Sequence, residues 1–202
     1  MSRRTPTGAA VLQPQVTEAI TEAVLDELAE HGYARLSMEG VAKRAGVGKS
    51  ALYRRWKSKQ EMAMAVIRDY SIAMIKVSDT GTLRGDLRAS LEAVARWLTH
   101  PRFASILPDL VAEMARNPEL GEVVGLLVGE PKRERTAEIF RRAIARGELP
   151  EDTDIELALD LIAAPVYWRL AVRAAEAGPS YLDDLTDTLL RALRATPSEG
   201  RG

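Results

Sequence analysis

Lys49, Ser50, Ala51, Tyr53, Arg55 and Lys59 crowd into eleven residues of this chain. None of them forms a nucleophile–base pair or a metal-ligand set. They are side chains that meet a polyanion. An ammonium reaches guanine O6/N7 or a phosphate, a hydroxyl bonds to several base edges, and an alanine methyl meets that of thymine. On a helix, Lys49 and Tyr53 lie four apart and share a face with Ser50, while Leu52 and Trp56 share the opposite one. The apolar side must bury, so the cationic side must face out. The preceding turn, Ala45-Gly46-Val47-Gly48, supplies a glycine for a positive φ and a valine to plug the space between two helices. Ser37 is a natural N-cap for the helix before that turn, and its hydroxyl and neighbouring N–H groups suit a phosphate. Tyr53, Arg55 and Lys59 are placed for the backbone of a duplex whose major groove takes the helix N-terminus first. Arg3 and Arg4, on an arm rich in Thr, Pro and Gly, add candidate minor-groove contacts.

Charge supports that reading only locally. The 202-residue chain has net charge −1. Residues 1–60 carry ten basic and six acidic side chains, a net +4, and the remainder a net −5. Seven cations and no anion fall between Lys43 and Gln60. On charge alone, a polyanionic partner and a solvated basic face serve equally well. Cysteine is absent, which excludes disulfides and thiolate zinc sites and suits a reducing cytoplasm. No stretch is apolar enough to span a bilayer, and the N-terminus lacks the apolar core of a signal peptide.

Alternating strand patterns do not appear, and apolar residues recur at helical spacing. About nine helices are expected, near 15–31, 38–45, 48–56, 58–77, 83–98, 102–116, 119–146, 154–177 and 180–195. Gly32 should end the first. Pro108 should bend or restart the sixth, and a kink should fall near 129–131. The implied organisation is an arm at 1–14, a helix-turn-helix head at 15–60, a larger helical body at 61–195 and a polar tail at 196–202.

The run Ser37…Val41-Ala42…Ala45-Gly46-Val47…Leu52-Tyr53…Trp56…Ser58-Lys59…Met62 resembles the DNA-binding head of TetR-family transcriptional regulators. The resemblance implies an all-α homodimer with a three-helix DNA-binding head and a ligand-binding, dimerising body. It also implies that Ser37, Lys49, Ser50, Tyr53, Arg55 and Lys59 contact DNA. Trp56 stands where phenylalanine is more frequent, and Gly48 where a Ser or Thr cap is frequent. Gly40, inside the second helix, should weaken it by up to about 1 kcal/mol against alanine.

The eighth expected helix is apolar nearly all round, and the ninth has more leucines than one stripe needs. Both therefore read as an intersubunit four-helix bundle. An apolar or amphipathic effector would sit in the body, whose candidate lining is Trp97, Phe103, Leu107, Leu110, Met114, Leu126, Phe140 and Tyr167. For any one of these, core packing is the simpler explanation. Effector binding would shift the fourth helix and respace two heads on an inverted-repeat operator. Catalysis has no supporting cluster, no cofactor is implied, and His31 and His100 read as helix-end caps. The fragment Gly46-Val47-Gly48-Lys49-Ser50 lacks the upstream glycine and strand of a phosphate-binding loop. The competing reading is a helical small-molecule-binding or scaffolding protein whose head does not bind DNA.

Overall fold

Every regular element among the described residues, 14–74 and 79–194 of the computed structural model, is helical. The head consists of α1 (Pro14–Arg35), α2 (Met38–Arg44) and α3 (Lys49–Tyr53). It continues through α4 (Lys59–Met74) into α5 (Leu83–Thr99), α6 (Pro101–Arg116) and α7 (Pro118–Val124). One π-helical turn, Gly125–Gly129, joins α7 to α8 (Glu130–Ala145). Then come α9 (Ile155–Tyr167), a second π turn (Trp168–Val172) and α10 (Pro179–Arg194). The arm up to residue 13, with Arg3 and Arg4, the end of the fourth expected helix and the tail lie outside the described residues.

Boundaries follow local chemistry. Ser37 accepts from the Gly40 N–H at 3.0 Å and Thr82 from the Gly85 N–H at 3.2 Å. Asn117 accepts from the Leu120 N–H at 3.2 Å and Asp154 from the Leu157 N–H at 3.0 Å, so these helix starts have side-chain caps. Pro108 does not restart α6, and both it and Ala104, whose carbonyl loses its partner, are exposed to solvent. The irregularity expected near 129–131 is a π turn at Gly125–Gly129. One boundary needs correction. The eighth expected helix stops at Val172 rather than running to 177. Ala174 turns left-handed at φ 50°, and Arg169 Nε bonds to the Glu176 carbonyl, folding the chain back.

Two apolar clusters organise the molecule. The first unites Ile20, Val24, Leu28, Val41, Leu52 and Met62 with Phe103, Ile106 and Leu110 of α6, Leu120 of α7 and Val128 of the π turn. The second joins α5, α8, α9 and α10 through Leu87, Leu91, Phe140, Ile162, Val166, Leu182 and Leu189. The head thus shares its core with α6 and α7 rather than owning a separate one. Polar ties reinforce the seam. Arg102 at the start of α6 pairs with Glu22 at 2.6 Å and Asp26 at 2.8 Å on α1. Asp109 accepts the Tyr33 N–H at 2.8 Å. Gly32 lets this happen. Its φ is 73°, and a Cβ there would sit 2.7 Å from Asp109 Oδ1.

In the body, Asp86 is fully buried. It accepts from the Thr80 N–H at 2.7 Å and the Thr80 hydroxyl at 2.8 Å, and faces Arg142 at 3.5 Å. Glu148 accepts the Leu83 N–H at 2.8 Å. These two carboxylates hold the start of α5 against the end of α8.

The outer face of α9 and its π turn carries Leu157, Leu161, Ala164, Trp168 and Val172 at helical spacing, and Trp168 is 58% exposed. The α10 helix spends much of its apolar surface within its own chain, as expected of half its role. Leu182, Leu189 and Leu190 are buried, and Tyr181, Leu185 and Leu193 pack on the same intrachain cluster. Its outer face presents Asp183, Asp184, Thr188 and Arg191. Among the described residues of the two helices, the α9 stripe leaves Leu157, Ala164, Trp168 and Val172 exposed, while Leu161 packs partly on the intrachain cluster.

Gly32→Ala combines a positive-φ penalty with a clash on Asp109 and is expected to lower stability by about 1–3 kcal/mol, measured as a fall in urea midpoint.

Candidate nucleic-acid interface

The α2–turn–α3 unit is built from very little chain. Gly46 takes φ 66°, and its N–H bonds to the Lys43 carbonyl at 3.3 Å. The Val47 N–H bonds to the Ala42 carbonyl at 3.0 Å, and its side chain packs on the core. Leu52 is completely buried, and Trp56 packs against the same cluster from just beyond α3. This leaves Lys49, Ser50 and Tyr53 exposed on one side, with Tyr53 54% accessible. Tyr53 is therefore free to meet a partner. The expected helix at 48–56 is shorter, five residues, with Arg54 and Arg55 in the following turn.

Each remaining candidate has a place. Ser37 is exposed, and its hydroxyl already caps α2 through Gly40. A Cβ on Gly40 would approach Ser37 Oγ to 3.1 Å and Glu27 Oε2 to 3.3 Å. That glycine, a weakness by propensity, keeps the cap open. Ala51 is partly exposed, and its carbonyl accepts from Arg55 Nη1 at 3.1 Å. Arg55 Nε is buried with no acceptor among the described residues. Lys59 donates to the carbonyls of Tyr33 at 3.3 Å and Ala34 at 3.1 Å and lies over the Tyr33 ring. It closes the C-terminal end of α1 with two of its three donors. At the next helix start, Ser58 Oγ accepts the Glu61 N–H at 3.1 Å and Glu61 accepts the Lys57 N–H at 2.7 Å.

Two anions distant in sequence reshape the charge pattern. Glu39 of α2 ion-pairs with Lys49, and Arg44 is held by Glu27 at 2.8 Å and by Glu30. The hydrogen bonds that Arg44 donates to Glu30 and Glu27 raise its pKa further above its already high ordinary value. Of the seven clustered cations, Lys43, Arg54 and Lys57 are the ones that are exposed and have no ion-pair partner among the described residues.

The eight ligand-lining candidates do not converge on one place. Phe103, Leu110 and Met114 belong with the head-side cluster, while Leu107, Phe140 and Tyr167 belong with the body cluster. Trp97 touches both, and Leu126 is 68% exposed, outside both. Where the clusters meet, aromatic rings gather. Tyr70 stacks on Phe103 with centroids 5.0 Å apart, and Trp97 lies 5.2 Å from Phe103. The Tyr70 hydroxyl is 2.9 Å from His100 Nε2, so the His100 side chain enters this cluster instead of capping a helix. Lys132 of α8 lies over Trp97, its Nζ 3.6 Å from the ring centroid. Burial pushes the Lys132 ammonium down from 10.5 to about 8.

Comparison with known proteins then decides the identity of the chain. The family description "Bacterial regulatory proteins, tetR family" matches residues 20–66, and "Tetracyclin repressor-like, C-terminal domain" matches residues 77–189. The chain belongs to the TetR family of bacterial regulatory proteins. It is 30% identical to the DNA-binding transcriptional repressor TetR of Mycobacteroides abscessus, over 87% of this chain and 92% of that one. It is 29% identical to the HTH-type transcriptional regulator YdeS of Bacillus subtilis, over 89% and 90%. The solved TetR family transcription regulator SCO0332 superposes with a TM-score of 0.71 at 28% identity, covering 88% of this chain and 97% of that one. TetR-family proteins are DNA-binding transcriptional regulators, not enzymes, and the helix-turn-helix of α2 and α3 is the family's DNA-binding unit. Among the described residues, no helix of this TetR-family chain is long and apolar enough to cross a membrane.

Sequence reasoning missed Glu39, Asp109 and Lys132. The Glu39–Lys49 pair spans the turn, so helical spacing within one element cannot reveal it. Asp109 acts 76 residues from its partner. Lys132 stands in a charged segment, EPKRER, and nothing local marks it as the member that lies over Trp97.

Glu39→Gln releases Lys49 and should raise DNA affinity, while steepening the dependence of log K on log salt by up to about one, as read from binding isotherms. Lys59→Ala should both weaken DNA binding and lower the melting temperature, because it removes the closure of α1. The unfolded chain holds the Lys132 proton more tightly than the folded one does. Raising pH from about 8 to 10.5 therefore stabilises the parent relative to Lys132→Met. The variant should be the more stable of the two at pH 7 in urea melts, and its advantage should shrink through that window.

Proposed function

We propose that this chain is a ligand-responsive repressor that binds an inverted-repeat operator as a homodimer and leaves it when a small-molecule effector occupies the body. The observation that carries the DNA reading is the outward face of α3. Lys49, Ser50 and Tyr53 are exposed on a helix anchored from behind by fully buried Leu52. In this role Lys49 exchanges Glu39 for guanine or a phosphate. Ser50 and Ala51 meet base edges. Tyr53, Arg55, the Ser37 end of α2 and the remaining Lys59 donor hold the backbone. Arg3 and Arg4 extend the contact from the arm.

Regulators of this family bind DNA and small-molecule effectors and typically form dimers. Here the stripe Leu157, Leu161, Ala164, Trp168 and Val172 supports a twofold contact through α9, with the edge of α10 beside it. A twofold axis would present two α3 helices to half-sites about 34–36 Å apart or a multiple of that. Release needs a path from body to head. The α6 brace on α1, through Arg102 and Asp109, supports one beside the α4 connection expected from the sequence. An effector that favours a different seat for α6 would tilt α1 and respace the heads.

Purified protein should select genomic fragments carrying an inverted repeat, with binding that weakens steeply as salt rises. Failure to shift any fragment at low salt would favour the scaffolding alternative. Lys49→Ala should lose about 1–3 kcal/mol of discrimination between cognate and mutated half-sites. Trp168→Arg should yield monomers in sedimentation and a loss of operator affinity with the head still folded. A dimeric Trp168→Arg protein would refute the α9 interface.

A further inference from the structure

Lys132 is a half-buried cation with no charge to answer it. Its ammonium lies over the Trp97 indole, and no carboxylate pairs with it among the described residues. A ring face softens a cation's desolvation and leaves its charge uncancelled. Two polar atoms of the same neighbourhood are orphaned. Trp97 Nε1 and His100 Nδ1 are both buried with no hydrogen-bond partner among the described residues. The indole N–H and the ammonium belong to, or lie over, one ring system. One small oxyanion at the edge of that ring is thus within reach of both.

Around them Phe103 and Tyr70 supply stacked aromatic surface, at the place where the head-side and body clusters meet. Local backbone points the same way. The π turn Gly125–Gly129 directly precedes α8 and packs on α4. One residue inserted into a helix rotates every later side chain by about 100°. Here Glu130 is exposed and the Lys132 ammonium lies over Trp97. Two orphaned buried polar atoms beside a half-buried, unpaired cation are hard to explain as packing, since an apolar residue at position 132 would cover the ring without desolvating a charge.

We propose that the effector of this protein is an amphipathic organic anion, its carboxylate, sulfonate or phosphate head held by the Lys132 ammonium and the Trp97 indole N–H, its apolar body lying on Phe103 and Tyr70. This rests on the ligand-responsive reading above and adds the chemical class of the ligand and the residue that selects it. Because Phe103 belongs to α6, the occupant touches the helix that braces α1.

Two fluorescent probes sharing one skeleton test it: anionic 8-anilinonaphthalene-1-sulfonate and neutral N-phenyl-1-naphthylamine. Each is titrated into the full-length protein, into Lys132→Met, which keeps the apolar stem, and into Lys132→Arg, which keeps the charge. Lys132→Met should weaken the sulfonate by at least about tenfold and leave the neutral probe unchanged, with Lys132→Arg staying within about threefold of the parent. No binding of the sulfonate to the parent, equal binding to Lys132→Met, or parallel loss of both probes overturns the proposal. Release of a genomically selected DNA fragment is measured alongside. Sulfonate bound through Lys132 with unchanged DNA affinity upholds the anion site and removes the ligand-responsive reading. Release by the neutral probe, indifferent to Lys132, upholds that reading and removes the anion site.

Discussion

A helix of five residues has no stability of its own. Fixing its first turn costs more than its few hydrogen bonds return. The α3 helix exists because Leu52 is fully buried, a burial that contributes about 1.5–3 kcal/mol. Trp56 and Val47 brace it on either side. The placement of Lys49, Ser50 and Tyr53 is thus a property of the core beneath them. That core does not stop at the head. Phe103, Ile106, Leu110, Leu120 and Val128 complete it from α6, α7 and the π turn. A rearrangement among those residues reaches the DNA-facing helix through close-packed side chains, which transmit displacement because they have little free volume to absorb it.

Electrostatics obeys the same economy. Arg44 is neutralised by Glu27 and Glu30, Lys49 is held by Glu39, and Lys59 closes α1 with its ammonium. The head therefore presents less naked charge than its composition suggests, and partners compete with internal acceptors. Competition favours specificity. A phosphate or base edge in the right place recovers what the lost ion pair supplied, whereas a misplaced one does not. Exposed Lys43, Arg54 and Lys57 remain for long-range attraction.

Much of this is legible in the chain itself, for reasons that differ by residue. Ser37, Asp154 and Asn117 as caps, Gly32 and Gly46 as positive-φ positions and Leu52 as the anchor all depend on neighbours within four residues. The end of the eighth expected helix is not legible, because its apolar residues continue past Val172 while the helical backbone does not. Ala174 turns left-handed with no glycine to announce it. The leucines of α10 read as partly partner-facing because a sequence shows how many apolar groups a helix has and not how much surface its own chain will cover. The lining candidates rest on residue type, and type does not separate Phe140 in the core from Leu126 on the surface.

From residues alone come the all-helical class, the helix-turn-helix, the family and the face of α3 that points outward. The class, the helix-turn-helix and the outward face are encoded in periodicity, caps and turn glycines, which act over one or two helical turns, and the family in the resemblance of the run from Ser37 to Met62. Tertiary structure alone decides that Asp109 fits against Gly32, that Glu39 reaches across the turn to Lys49, that the exposed face of α9 is apolar and that of α10 polar, and that Lys132 is the cation of its segment that lies over Trp97. Those contacts join residues far apart in the chain or on different helices. Their energies depend on how whole helices pack, so no short window of sequence contains them.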